Sequence, residues 1–346
     1  MRPAVANPPS GGPRRAAATL DGVASALATA LISVVGLNTG ITPGVLVWTG
    51  TPARLAPERI VLDATAPVLS PNGRVVAYAV RGELRVQAVG GGPARTLTQV
   101  PGSQPTFAFS PEGSRIAFAA EGAIVLLPVV GKGPVRRVAL PPAWRSSTLA
   151  ALAWSPDGRR LAFSRTSGDG KAGTLHNELD VIGVDGKGAR TLAVNQAPYG
   201  ARAEPSWSPD GTRIAFKLDE FRLATVSVAG GRSTPLTRPG RDVADSDPIW
   251  SPDGRWIAFA RFPARGTSDV WLVRPNGTGL RRLTTTPIPP RGVAHTGSTP
   301  LAWSPDAAQV LAFRHDRFAV VDVATRASRT LNRVGLQYAL FGARWA

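Results

Sequence analysis

Four acidic residues in the second half of the chain have the side chains and the spacing to bind a cation or another ligand. They are Glu204, Asp242, Asp245 and Asp247. Glu204 and Asp247 each stand four positions before the serine of a Ser-Pro-Asp-Gly segment, so they occupy equivalent places in two successive repeats. Carboxylate oxygens are the ligands that a divalent cation such as Ca²⁺ prefers. These acids therefore suggest a ligand or cation site; alternatively, an acid before proline shapes the entry to a strand and contacts a neighbouring turn.

A second set of acids recurs in the Ser-Pro-Asp segments and points to structure, not to catalysis. These residues are Asp157, Asp210, Asp253 and Asp306. A catalytic constellation is asymmetric, whereas these aspartates recur from one copy to the next. In such a turn proline presets φ, aspartate suits the second central position, and glycine accepts a positive φ. We therefore expect all four to stabilise turns.

Other catalytic or metal-binding patterns are not found in the sequence. The chain has no cysteine, which excludes thiolate metal sites and cysteine nucleophiles. Its three histidines, His176, His295 and His315, share no position in the repeat. No Ser-His-Asp arrangement and no phosphate-binding glycine loop is present. The sequence thus predicts no catalytic residue, no protein-bound metal and no cofactor, apart from the divalent cation considered above.

Six copies of one segment carry these acids and define the architecture. Four of them read Trp-Ser-Pro-Asp, as in WSPDGTRIAF (207–216), and the serines are spaced 40 to 53 residues apart. The turn joins two apolar runs into a hairpin, and a third and a fourth apolar run follow it. Four short antiparallel strands repeated at this period are typical of the blades of a β-propeller. The serines are Ser70, Ser110, Ser155, Ser208, Ser251 and Ser304.

The predicted fold is therefore all-β, a six-bladed propeller of four-stranded antiparallel blades. The alternative is seven blades, with a hybrid closing blade built from both ends of the chain. Residues 45–50, 59–63 and 335–346 are apolar enough to supply its strands. The sixth copy has Ala307 in place of glycine and one extra residue before its phenylalanine, which predicts a bulged turn. Two long connections, 164–177 and 285–299, are either functional loops or tolerated insertions.

The repeated W-S-P-D-G-x-x-I-A-F unit resembles the repeat of the TolB propeller family. The resemblance covers about 275 of 346 residues. It implies a periplasmic protein that binds other proteins of the cell envelope. TolB itself carries an N-terminal α/β domain, for which the roughly 60 residues before the first blade leave no room. Related propellers precede the hydrolase domain of prolyl oligopeptidases, but this chain has no G-x-S-x-G nucleophile motif.

Composition and net charge limit the class of protein and the kinds of partner that fit this sequence. A hydrophobic fraction of 43% and a charged fraction of 18% exclude a disordered chain. The net charge is +17, which suits an anionic polymer as partner. However, the basic residues are scattered, and only four of the 40 are lysine, as expected of an arginine-rich coding bias. Nucleic acid is therefore not the expected partner.

The N-terminal residues suggest export. Three arginines and no acid in residues 1–20 precede an apolar stretch at 23–37, a pattern typical of a signal peptide or a short anchor; a buried helix is the alternative. We divide the chain into a signal-like or anchor-like segment, 1–44, and a propeller, 45–346. The expected protein is a monomeric, non-enzymatic scaffold that binds a protein partner at the cell envelope. It would be periplasmic or extracellular, with membrane attachment through 23–37 left open. There are two alternatives. The first is a protein that binds a ligand in its channel, or an enzyme of lyase or hydrolase type with its site there. The second is a protein that binds an anionic polymer.

Overall fold

A computed structural model describes most of the chain. It covers residues 32–38, 44–51, 54–62, 64–100, 106–131, 133–168, 175–195, 203–263, 267–286, 298–314, 317–333 and 338–345. Side chains are described between residues 64 and 331, apart from those bordering the gaps. The two histidines His295 and His315 lie outside the described residues, as does the side chain of His176.

Apart from one short 3-10 turn, the regular secondary structure of the described residues consists of strands, numbered here in chain order. Three strands precede the first repeat: β1 (Ile32–Asn38), β2 (Gly44–Thr51) and β3 (Arg54–Leu62). Blade 1 follows, with β4 (Ala64–Leu69), β5 (Val75–Val80), β6 (Glu83–Ala88) and β7 (Arg95–Gln99). Blade 2 comprises β8 (Phe107–Phe109), β9 (Arg115–Ala120), β10 (Ala123–Pro128) and β11 (Arg136–Ala139). A short 3-10 turn at Pro142–Trp144 leads to blade 3.

The remaining blades follow the same plan. Blade 3 comprises β12 (Thr148–Trp154), β13 (Arg160–Gly168), β14 (Leu175–Gly183) and β15 (Arg190–Asn195). Blade 4 comprises β16 (Ser206–Trp207), β17 (Arg213–Lys217), β18 (Leu223–Ser227) and β19 (Thr234–Pro235). Blade 5 comprises β20 (Val243–Trp250), β21 (Ile257–Pro263), β22 (Asp269–Val273) and β23 (Arg281–Arg282). Blade 6 comprises β24 (Ser298–Trp303), β25 (Gln309–Arg314), β26 (Arg317–Asp322) and β27 (Ser328–Arg333), and β28 (Tyr338–Trp345) ends the series.

Each of the six repeats forms one antiparallel blade whose strands pair in chain order. The prediction of an all-β propeller with six four-stranded repeat blades is confirmed. A further four-stranded sheet of order β28-β1-β2-β3 joins the two ends of the chain. β28 contacts both β24 and β4, so this closing sheet lies in the ring between blade 6 and blade 1. When this closing sheet is counted, the ring has seven sheets. A closing sheet built from both ends of the chain is the hybrid closure considered above as the alternative.

The closing sheet also includes part of the N-terminal apolar stretch. Ile32 is paired with Trp345 and Asn38 with Tyr338, across nearly the full length of the chain. Residues 1–31, which include the first part of the stretch at 23–37, lie outside the described residues, whereas Ile32–Asn38 forms β1. The ring thus takes in residues upstream of position 45. Within the described part of the chain, no helix has the length and apolar character needed to cross a membrane.

Aromatic side chains from the second strand of each blade form the core between blades. Tyr78, Phe118, Phe163, Phe216 and Phe259 are at most 4% exposed. In blade 6 the extra residue moves Phe313 one position along β25, and Phe318 of β26 is buried instead. Because a four-stranded blade is too thin to bury such rings alone, the fold depends on packing between blades.

Several arginines also join neighbouring blades, which accounts for part of the basic charge. Arg95, Arg190 and Arg281 lie on the fourth strands of blades 1, 3 and 5. Their guanidinium groups donate to the backbone carbonyls of Val129, Val228 and Val323 in the next blade. These arginines therefore stabilise the ring, and they need no anionic partner to explain their presence.

One of the long connections is shorter than the sequence suggested. Residues 164–168 continue β13, and residues 175–177 begin β14, so most of segment 164–177 is an extended hairpin. Its tip, 169–174, lies outside the described residues, as do residues 287–297 of the second long connection.

The Ser-Pro-Asp turns share one set of hydrogen bonds. In blade 4 the Ser208 hydroxyl donates to Asp210 Oδ1 at 2.5 Å, and the same oxygen accepts the N–H of Thr212 at 3.0 Å. The hydroxyl of Ser208 holds the pKa of Asp210 below its ordinary value, because it stabilises the charged carboxylate. Asp157, Asp253 and Asp306 accept the equivalent pair of hydrogen bonds in blades 3, 5 and 6.

The prediction of a bulged turn in the sixth copy is wrong. Ala307 donates its N–H to the carbonyl of Ser304, as the turn glycines of the other copies do for their serines. It adopts φ +58°, close to the +70° of Gly254. Strand β25 pairs with β26 without a register shift, so the extra residue lengthens the strand and leaves the turn unchanged.

Replacing Ala307 with glycine is expected to stabilise the protein. The left-handed conformation costs a residue with a Cβ atom about 1–2 kcal/mol, and part of that cost returns as the greater freedom of glycine in the unfolded chain. The expected gain is about 0.5–1 kcal/mol in denaturant-induced unfolding. The reverse change, Gly254→Ala, should destabilise the protein, and equal effects of both substitutions would contradict this account.

Candidate functional site

The innermost strands of the blades carry an irregularity at the position where Glu204 and Asp247 stand. Four positions before the turn serine, the residues Ala66, Ala151, Glu204 and Asp247 have φ between +47° and +54°. Blades 1, 3 and 5 shift their register at this point, as in a β-bulge. A left-handed non-glycine residue at a bulge redirects its side chain. Because alanine fills the position in two blades, the bulge itself belongs to the architecture.

Glu204 and Asp247 lie against each other in the structure. The backbone N–H of Asp247 donates to Glu204 Oε2 at 3.3 Å. Asp247 is exposed and accepts a hydrogen bond from the Ser246 hydroxyl at 2.8 Å, whereas Glu204 is partly buried. Two adjacent blades thus each place an acidic residue here, Asp247 on β20 and Glu204 two residues before β16. Such a pair can attract a cation or a basic group.

Asp245 belongs to a different environment from these two acids. Its carboxylate is fully buried, and both oxygens accept hydrogen bonds from the Arg261 guanidinium, at 2.7 and 2.8 Å. Arg261 also lies over the ring of Trp271, 4.6 Å from its centroid. Asp242, the fourth acid of the group, is exposed at the start of β20. Within the described part of the chain, no three acidic or histidine side chains are placed to hold a metal ion.

A second buried ionic cluster in blade 3 was not apparent from the sequence. Arg165 pairs with Asp180 at 2.5 Å and with Glu178 at 3.4 Å, and lies over the Trp144 ring. Burial raises the pKa of Asp180, and the hydrogen bond from Arg165 opposes that change. Arg165 and Arg261 stand two positions after the core phenylalanines of their blades, a regularity that the repeat alignment could have shown. Both clusters join neighbouring strands within a blade.

Sequence comparison relates short stretches of the chain to two peptidases. No protein-family model matches. An uncharacterized peptidase, YuxL of Bacillus subtilis, is 41% identical over 81 residues, which make up 23% of this chain and 10% of that protein. Dipeptidyl-peptidase 5 of Porphyromonas gingivalis is 28% identical over 96 residues, 25% of this chain and 14% of that protein. The chain thus matches only a small part of the length of these relatives.

Structural comparison extends over most of the chain. A putative TolB from Agrobacterium tumefaciens has a TM-score of 0.50 at 20% identity, covering 73% of this chain and 94% of its own. Oligogalacturonate lyase from Vibrio parahaemolyticus has a TM-score of 0.58 at 10% identity, covering 87% and 86%. A putative 6-phosphogluconolactonase from Bacteroides fragilis has a TM-score of 0.57 at 16% identity, covering 92% and 98%. The chain therefore has a TolB-like β-propeller fold, which is also the fold of proteins named as enzymes.

Proposed function

We propose that this protein is a non-enzymatic scaffold that binds a protein partner at the cell envelope, through the channel mouth at blades 4 and 5. The observation that carries the proposal is the contact between Glu204 and Asp247. It brings together acidic residues of two adjacent blades, Asp247 on β20 and Glu204 just before β16, in a chain whose net charge is +17. A basic segment of a partner would complement this local acidity, and charge complementarity of this kind selects and orients partners.

The location at the envelope rests on two further features. The fold is shared with a putative TolB, and the basic N-terminus with its apolar stretch at 23–37 has the sequence pattern of an export signal or anchor, of which residues 32–37 belong to β1 of the closing sheet. The proposed protein is therefore periplasmic or extracellular, and it acts as a monomer with a rigid disc as its binding surface.

The proposal predicts that a partner captured from envelope extract depends on the two carboxylates. The bait is the full chain, because a bait that began at residue 45 would lack β1 of the closing sheet. The double variant Glu204→Gln/Asp247→Asn should weaken capture about tenfold or more, since charge-assisted hydrogen bonds are lost. Its melting temperature should stay unchanged, because asparagine tolerates the left-handed conformation of Asp247. Binding is measured by quantitative capture, followed by titration with the identified protein.

Glu220→Gln is the matched control, because it removes another acid of blade 4 outside the Glu204–Asp247 contact. Retention of one discrete protein after a high-salt wash supports the scaffold. Retention of assorted anionic material, seen only at low salt, would contradict the scaffold and support the alternative that the protein binds an anionic polymer. A melting temperature raised by Ca²⁺ or Mn²⁺ in the wild type and unaffected in the double variant would instead identify a cation site, as an occupied ligand site stabilises the fold.

A further inference from the structure

The turn between the third and fourth strands of blade 2 exposes two large apolar side chains. Val130 and Val135 are 82% and 63% exposed, more than any other large apolar side chain in the described part of the chain. Val129, directly before Val130, is 4% exposed and packs in the core. Because an apolar side chain in water costs free energy, two of them at the end of one hairpin indicate a surface that contacts something apolar.

The turn does not need these valines for its structure. In the other blades, small or polar residues stand at nearly all the positions equivalent to Val130 and Val135. At the first position they are Gly90, Asp185, Ala229, Asn276 and Ala324, and at the second they are Ala94, Ala189, Ser233 and Ser328. Leu280 of blade 5, which is 42% exposed, is the exception at the second position. Blade 2 alone combines two large apolar residues in this turn.

Positive charge lies beside the two valines. Arg136 follows Val135 and is exposed, and among the described residues its guanidinium has no ion pair or hydrogen bond. Arg95 of blade 1 donates to the carbonyl of Val129, which brings a second guanidinium to the base of the turn. Residues 122–156 include no aspartate or glutamate. The turn is therefore both apolar and basic.

Acidic side chains on the same face of the ring do not cancel this charge. The Ser-Pro turn of blade 2 lies beside the exposed turn, since the N–H of Val129 donates to the carbonyl of Ser114 at 2.8 Å. Its acid, Glu112, is already paired with Arg115 at 3.2 Å. In blade 1 the neutral Asn72 replaces the turn aspartate of blades 3 to 6. This part of the face thus attracts anions.

We propose that the blade-2 tip, defined as Val130, Val135 and Arg136, docks on the surface of an anionic lipid bilayer. Segments that bind at a bilayer surface bury apolar side chains at the headgroup boundary and place basic side chains against anionic headgroups. A nucleic acid or an acidic polymer would match the charge but leave both valines in water. The inference goes beyond the proposed scaffold function, and it needs neither the Glu204–Asp247 contact nor the apolar stretch at 23–37.

The test measures cosedimentation of the full-length protein with lipid vesicles. Vesicles of phosphatidylcholine with about one-third phosphatidylglycerol should bind the protein, and phosphatidylcholine alone should bind it about tenfold more weakly or less. Val130→Ser/Val135→Ser should weaken binding to the anionic vesicles about tenfold or more, because the apolar contact is lost. Arg136→Gln should weaken it about fivefold, the contribution of one basic residue near such a surface. All three side chains are exposed, so the variants are expected to fold, and their melting temperatures check this.

Two controls locate the contact at the tip. Val194→Ser removes a valine that is 49% exposed on β15 of blade 3, and it should leave vesicle binding unchanged. Because the chain has no cysteine, an environment-sensitive fluorophore attaches only to an introduced one. On Pro134→Cys its emission should shift to the blue with anionic vesicles, since the label enters the apolar boundary. The same label on Val194→Cys should not shift.

Three results would each overturn the proposal. The first is wild-type binding in Val130→Ser/Val135→Ser, which would assign any attachment to another part of the chain, such as the stretch at 23–37. The second is binding that high salt abolishes and that does not depend on the valines, which would indicate adsorption of a basic protein. The third is capture of a protein through the valines without vesicle binding, which would make the tip a protein-binding surface.

Discussion

Trp207→Ala is expected to destabilise the protein by about 3–5 kcal/mol, the cost typical of removing a large buried aromatic side chain. Trp207 is 8% exposed, its indole N–H donates to the carbonyl of Ala153 at 3.2 Å, and Arg160 lies over its ring. All three interactions join blade 4 to blade 3, so the substitution opens the interface on which a thin blade depends. Chemical unfolding measures the free energy, and the melting temperature should fall by roughly 6–20 °C.

Phenylalanine variants separate the hydrogen bond from the packing. Trp207→Phe keeps most of the ring but leaves the Ala153 carbonyl without its donor, which should cost about 1–3 kcal/mol. Trp250→Phe removes an indole that has no acceptor, so its cost should be smaller. Similar losses for the two variants would show that the indole hydrogen bonds between blades contribute little. An unchanged melting temperature in Trp207→Ala would contradict the packing itself.

The repeat blades could be predicted because their information is local. The Ser-Pro-Asp-Gly letters specify a turn, and two apolar runs beside it form a hairpin wherever they occur. The closing sheet has no such signal. Ile32 and Trp345 pair although they are separated by almost the whole chain, and neither lies in a copy of the repeat. The sequence could indicate that both ends were able to form strands, but it left open whether the ring would be closed by a further sheet.

The candidate sites were predicted less completely, for a physical reason. The equivalence of Glu204 and Asp247 follows from the repeat, but their left-handed backbone follows from a bulge that alanine also adopts at Ala66 and Ala151. The missing acceptor of the Trp250 indole N–H could not be foreseen, because blades 3, 4 and 5 share the letters WSPDG. Only the packing of one blade on the next decides which tryptophan finds an acceptor and which does not.

The burial of Asp245 leads to the second large prediction, in which Arg261→Met is expected to cost about 3–5 kcal/mol. Asp245 is fully buried and Arg261 is 14% exposed, so removing the guanidinium leaves a carboxylate away from water with its partner lost. Arg222→Met is the matched control. Arg222 pairs with Asp219 at the surface and is 48% exposed, and losing such a pair should cost no more than about 1 kcal/mol.

A double variant separates two free energies: the cost of a buried Asp245 carboxylate without its partner, and the net contribution of the Asp245–Arg261 ion pair to stability. Asp245 is opposite Arg261 in blade 5, and Leu149 is opposite Arg165 at the same place in blade 3. Since this position accepts leucine, Asp245→Leu/Arg261→Met should be more stable than Arg261→Met alone, because a buried pair replaced by apolar side chains costs little. Chemical unfolding of the four proteins in the cycle gives the coupling energy.

This cycle also tests the role of Asp245 among the four acids. If Asp245 acts through its ion pair with Arg261, as the geometry indicates, Asp245→Leu changes stability and leaves cation binding as it is in the wild type. If the losses in the two single variants simply add in the double variant, the two side chains do not act as a pair. If Asp245→Leu loses Ca²⁺ or Mn²⁺ binding at unchanged stability, Asp245 takes part in the site at the channel mouth. The ion pair and the carboxylate pair of Glu204 and Asp247 would then form one functional unit across blades 4 and 5, in place of a structural element beside a binding surface.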